Sequence, residues 1–207
     1  MPNNTNLKEK NYEGLERFTM VKVMHKKSLE TAIAEKKADL QIISLCKFVS
    51  KTKHFFTSSS CAGRIILLQL PEGESKRDAC FHEKWHRVVK EKELWKGIDA
   101  ETKGELWFKL DPFIFHVGAD TLENGKKVLA AMTKAGVKRG GIIVAKPGKF
   151  LVELQGSQGI AFPVKKGNKV LVEKDYMKYI LERANEKLEK NYKLLKRLEK
   201  EFRKELK

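Results

Sequence analysis

The order of apolar runs and turns predicts an α+β protein: a single domain with a mixed, largely antiparallel sheet, flanking helices and a long C-terminal helix. Two observations carry this reading. Short β-like runs are mixed with helical stretches, without the regular strand–helix–strand alternation of a parallel sheet. From Tyr176 to about Leu206, apolar residues recur at helical spacing on one stripe, opposite a face rich in Lys and Arg.

The elements follow in order. Residues 1–10 are polar and read as a flexible tail. Residues 11–175 are the expected catalytic α+β domain, and 176–207 the basic amphipathic helix packed on it or extending from it. Tyr12 to Lys36 has helical composition, with Leu15, Phe18, Met20, Val23 and Met24 at mixed three- and four-residue spacings. A second helix is expected over Leu40–Val49, with Asp39 as its N-cap. Strands are expected at Phe55–Ser58, Ile65–Leu70 and Ala79–Val89, then a short helix at Glu91–Ile98. Further strands, Gly104–Leu110 and Phe113–Val117, are separated by Asp111-Pro112. Thr121 to Ala135 forms an amphipathic helix with Leu122, Val128, Leu129 and Met132 inward, ending on Gly136. Short strands at Gly141–Ala145, Phe150–Leu154, Ile160–Val164 and Val170–Val172 follow, punctuated by Pro-Gly, Gly-Ser and Gly-Asn pairs.

Charge narrows the partner class. The 43 Lys and Arg against 27 Asp and Glu give +16, an imbalance that suits a polyanion such as a nucleic acid better than a thermophile's balanced surface. Cys46, Cys61 and Cys80 are odd in number and lack CxxC spacing, so neither a disulfide framework nor a zinc ribbon is expected. No apolar run approaches the ~18–20 residues that span a bilayer, and the N-terminus has no signal-type core. A soluble, cytoplasmic protein is the expectation.

The chemically richest stretch runs from His54 to Ile66. An apolar entry meets hydroxyls at Thr57, Ser58, Ser59 and Ser60, then Cys61, Gly63 and Arg64, before another apolar run. It reads as a turn with small side chains and free N–H groups. Gly63 would permit a positive φ or a close approach, and Arg64 a planar fork for carboxylate or phosphate. His82-Glu83-Lys84-Trp85-His86 matches HExxH, but its segment shows no helical stripe and only His116 lies downstream as a third ligand. As a strand it would hold His82 and His86 about 13 Å apart, too far to share one metal. No metal is expected. His116 ends an otherwise apolar strand, where it is either a satisfied core residue or an acid or base facing a cleft. Trp85 is core, or a platform for stacking a base. Gly140-Gly141 marks a turn into a strand, and neither GxGxxG nor a P-loop is present.

Several segments occur together in order: Phe56–Arg64; Lys76 followed by Trp85-His86; Asp111-Pro112-Phe113-Ile114-Phe115-His116-Val117; Lys134–Ile142; and Ala184-Asn185-Glu186-Lys187-Leu188. In these the chain is similar to the tRNA wybutosine-synthesis methyltransferase family, and more to its archaeal members. Those enzymes N4-methylate the tricyclic wyosine-type base beside the anticodon of phenylalanine tRNA. The likeness covers about residues 12–190. It departs at Ser58 and Ala62, where Thr and Ser are usual, and at Gly140, where Ser is commoner. The resemblance implies S-adenosylmethionine as methyl donor and phenylalanine tRNA as partner. It assigns Ser59, Ser60, Cys61, Gly63 and Arg64 to the donor's polar end or a phosphate. His116 or His86 would move the proton, and Lys76, Trp85, Gly140 and Gly141 would hold substrate. The competing expectation is a basic RNA-binding module without catalysis.

Overall fold

The computed structural model describes residues 4–71 and 79–206, with side chains from residue 14 onward. Lys76 lies outside the described residues. In chain order the elements are α1 (Asn4–Ala34), α2 (Ile43–Lys51), β1 (Phe55–Cys61), β2 (Arg64–Leu70), β3 (Cys80–Trp85), α3 (Glu91–Asp99), β4 (Glu105–Asp111) and β5 (Ile114–Ala119). Then come α4 (Leu122–Ala135), β6 (Arg139–Lys146), β7 (Lys149–Gln155), β8 (Ile160–Lys166), β9 (Lys169–Val170) and α5 (Lys174–Glu205). The fold is α+β with a long C-terminal helix, and every strand pairing described is antiparallel. The strands divide between a four-stranded and a five-stranded sheet.

The chain forms two compact units. The first comprises Met1–Ala62, Ile114–Ser157 and Lys193–Lys207, around a sheet of order β1-β5-β7-β6. Alternation along its strands makes two faces. Phe115, Val117, Val152 and Leu154 are wholly buried on one, where α4 supplies Val128, Ala131 and Met132 and the end of α5 supplies Phe202, 6.1 Å from the Phe115 ring. The other face carries Phe56, packed beside Phe18 of α1 and stacked under His25 at 5.1 Å. Gly118, opposite Phe56, is required there because a Cβ would run into the Phe56 ring. Of the apolar residues noted on α1, Phe18 is buried; Leu15, Met20, Val23 and Met24 are exposed.

Local chemistry explains most element ends. Thr121 caps α4 by accepting from Asn124 N at 3.2 Å, and Gly136 closes it with φ 83°. Asp39 is not the cap of α2, which follows Ile42 without a side-chain cap. Its carboxylate instead accepts from Ala62 N at 2.8 Å, so this charge pins the far end of β1. The expected turn at 57–64 is also corrected. β1 runs on through Cys61, with Ser58 and Ser59 in a bulge and Ser60 and Cys61 back in the ladder, and the break before β2 is Ala62-Gly63 alone.

The second unit comprises Gly63–Phe113 and Gln158–Tyr192, with sheet order β3-β2-β4-β8-β9. Ile65, Leu67, Leu106, Phe108 and Leu110 bury one face against Leu94 and Ile98 of α3 and Met177, Leu181, Ala184 and Leu188 of α5. The C-terminal stripe read from sequence therefore packs as core. Lys165 is 3% exposed and donates to Ile98 O and Ala100 O, which answers the orphan carbonyls closing α3.

Candidate active site

A bulge in β1 builds the site of the first unit. Thr57 pairs with Val117 and Ser60 with Phe115, so Ser58 and Ser59 together stand opposite the single residue His116. His116 pairs on its other side with Glu153, and Glu153 with Gly141. One row across the sheet thus reads serines, imidazole, carboxylate, glycine. The neighbouring rows, Phe115 and Val117, are buried on the opposite face, which fixes His116 outward by alternation.

His116 Nε2 lies 2.9 Å from Glu153 Oε2, with the side chains 15% and 33% exposed. A carboxylate only accepts, so Nε2 carries the proton and Nδ1 is left as the acceptor of the neutral ring. Glu153 therefore sets both tautomer and ring orientation. His116 is thus a largely buried histidine with one satisfied hydrogen bond.

Beside the row, α1, α2 and β1 enclose a cleft of about 340 Å³. Its walls include Ser58, Ser59 and Ser60, the Asp39 carboxylate, His25 and Lys37. Ser59 is exposed, whereas Ser60 Oγ lies 3.0 Å from buried Thr57 Oγ1. Burial pushes the Cys46 thiol up to about 12, against the opposing hydrogen bonds of Thr57 and Ser60. Cys46 is inert packing. Cys61 Sγ lies within 4.8 Å of an Asp39 carboxylate oxygen. His25 is held below the ordinary histidine value by burial and then by the charge of Lys149.

The glycines differ in role. A Cβ at Gly140 would meet Glu153 O and Met132 Sδ, so its smallness serves close packing. Gly141 faces open space at the end of the His116 row.

In the second unit, Gly63 has φ 96° beside Asp111 O and Asn191, a conformation that favours glycine. Arg64 Nε donates to Asp111 Oδ2 at 3.1 Å, and its guanidinium covers Phe81 at 4.6 Å. Trp85 belongs to the hydrophobic core at 9% exposure, which corrects its reading as a stacking platform. His86 follows β3, and its backbone O accepts from Tyr192 Oη at 3.0 Å. The HExxH segment lies on and just after a strand, without the helical turn the motif requires, and His82 Nε2 is taken by Gly97 O at 3.0 Å.

Sequence reasoning missed Glu153, His25 and the partners of His54. Glu153 and His25 gave no motif, because strand register and helix docking alone place them. His54 Nδ1 meets Asp120 Oδ2 at 2.6 Å, and Asn124 donates to Asp120 Oδ1 at 2.7 Å. That trio ties the start of β1 to the end of β5 and the start of α4.

Comparison with known proteins gives the class. The family Methyltransferase TYW3 matches residues 16–204. The Pyrococcus abyssi tRNA(Phe) 7-((3-amino-3-carboxypropyl)-4-demethylwyosine(37)-N(4))-methyltransferase 1 is 34% identical over 172 residues, 83% of this chain and 89% of that relative. A Pyrococcus horikoshii relative named methyltransferase 2 for the same reaction is 33% identical over 86% of this chain and 85% of its own length. The solved PH1069 protein from Pyrococcus horikoshii superposes with a TM-score of 0.83 at 32% identity, covering 90% of this chain and 96% of that one. A family model matched over nearly the whole chain, with relatives named for this activity, defines a methyltransferase. The chain belongs to the TYW3 methyltransferase family.

Proposed function

We propose that this protein transfers a methyl group from S-adenosylmethionine to N4 of the wyosine-type base next to the anticodon of phenylalanine tRNA. The observation that supports it is the oriented His116–Glu153 pair, set opposite the bulged Ser58 and Ser59 of β1 in a chain matched to this family from residue 16 to 204. The alternative of a non-catalytic RNA-binding module has no comparable support among the relatives.

The donor chemistry fits the cleft. S-adenosylmethionine supplies an electrophilic methyl on a sulfonium, and its amino-acid end bears both an ammonium and a carboxylate. Ser58, Ser59 and the Asp39 carboxylate suit the first, and Lys37 the second. The volume lies within the range of small-molecule sites. The acceptor nitrogen loses a proton as its new bond to carbon forms. His116 Nδ1 is assigned to take that proton, while Glu153 steadies the imidazolium produced. Orientation of the two reactants then supplies much of the acceleration. Lys26, Lys51 and Lys53, around a second hollow of the first unit, offer charge for the tRNA backbone.

The test is methyl incorporation from labelled donor into phenylalanine tRNA carrying the unmethylated tricyclic base. The modified nucleoside should gain one methyl. Wild-type protein that leaves this tRNA unmethylated overturns the proposal.

A further inference from the structure

We propose that Phe81, on the outer face of the five-stranded sheet, is a stacking platform for an unpaired nucleobase of the RNA substrate. The assignment rests on the reading above that the substrate is a tRNA.

Register decides which face Phe81 occupies. Ile65 and Leu67 of β2 and Leu106, Phe108 and Leu110 of β4 point into the core formed with α3 and α5. Residues between them point the other way, and Leu68 pairs with Phe81, Ile66 with Lys84 and Lys109, and Arg64 with Asp111. The shift in register between Leu67 and Leu68 places a bulge in β3 at His82, so Phe81 and Lys84 emerge on the same outer face despite their odd spacing. The two helices of this unit contribute to the opposite face.

Phe81 is 49% exposed on that face, beside the buried Ile66, so about half of it is open to a partner. Its surroundings select which one. The Arg64 guanidinium sits 4.6 Å from the ring centroid and Lys84 Nζ 5.6 Å. Lys109 Nζ stands 3.5 Å from Asp111, the carboxylate that also accepts from Arg64. Two cations stand over an exposed aromatic on an antiparallel sheet, and a third shares the one carboxylate that Arg64 meets. A protein partner's apolar patch would be a poor match for that rim. A base with its phosphates satisfies both parts, since the base stacks on the ring and the cations meet the backbone. The chain's net charge of +16 points the same way.

The experiment is a binding cycle with full-length protein. The probes are the anticodon stem–loop RNA of phenylalanine tRNA and the same RNA with abasic nucleotides in place of the unpaired loop bases. Phe81→Ala should weaken binding of the intact loop roughly tenfold. It should leave binding of the abasic loop unchanged. Phe81→Trp should restore the intact-loop affinity. Lys84→Gln should instead weaken both RNAs and reduce the salt slope by about one. Phe81→Ala binding the intact loop like wild type, or losing equally on both RNAs, would overturn the platform. Because binding is read without methyl transfer, a failure here is distinct from a failure of the methyltransferase reading.

Discussion

At the scale of single residues, the proposed chemistry turns on the imidazole assigned to take the proton. His116 is oriented by a carboxylate at 2.9 Å and partly open to solvent, while Cys46 is locked as a thiol by burial. His116→Asn should therefore lower kcat by about 10²–10⁴ with a small effect on donor KM, since the loss falls on the proton-transfer step. Glu153→Gln should retain more activity but shift the pH–rate profile, because a neutral amide no longer stabilises the imidazolium. Steady-state kinetics across pH checks both. The thiols give a second check. Burial puts Cys46 at about 12, so in folded protein it should resist alkylation at about pH 8 while exposed Cys80 reacts, read by peptide mass mapping.

Elements place these residues, and the β1 bulge is the decisive one. Two serines against one histidine interrupt the ladder there, and Ser60 turns its hydroxyl toward Thr57. The hydroxyl-rich motif is visible in sequence, but its composition points to a turn where the structure has a bulged strand. Ser and Gly signal a turn by composition, whereas pairing of Ser60 and Cys61 with β5 carries the strand on past the bulged Ser58 and Ser59. On the same face, Gly118 lets Phe56 lie flat under His25. Gly118→Ala should cost about 1–3 kcal/mol through overpacking. Trimming the ring in a Gly118→Ala, Phe56→Leu double variant should recover part of it relative to additivity, measured by denaturant unfolding. The α4 ends, by contrast, were legible from Thr121 and Gly136 alone, because caps depend on local chemistry.

Over the whole molecule, charge and burial predict how stability answers to pH. Burial and Lys149 depress His25, so the unfolded chain binds its proton more readily. That term leaves stability full above the ordinary histidine value of 6.5 and lowers it as pH falls below. Burial pushes Asp120 up, yet hydrogen bonds from Asn124 and His54 outweigh it and hold the carboxyl below its ordinary 3.8. Its contribution is present above 3.8 and is lost as pH falls through the depressed folded value. Denaturant midpoints should therefore decline in two stages on acidification, and His25→Gln should flatten the first. The sequence by itself determined the α+β class, the basic character, most element positions and the family, because these follow from composition, periodicity and ordered motifs. Tertiary structure decided that Glu153 orients His116, that Asp39 pins Ala62 and that Trp85 is core while Phe81 is exposed. Those outcomes depend on strand register, where one inserted residue changes which face a side chain meets, and no local pattern in this chain encodes that.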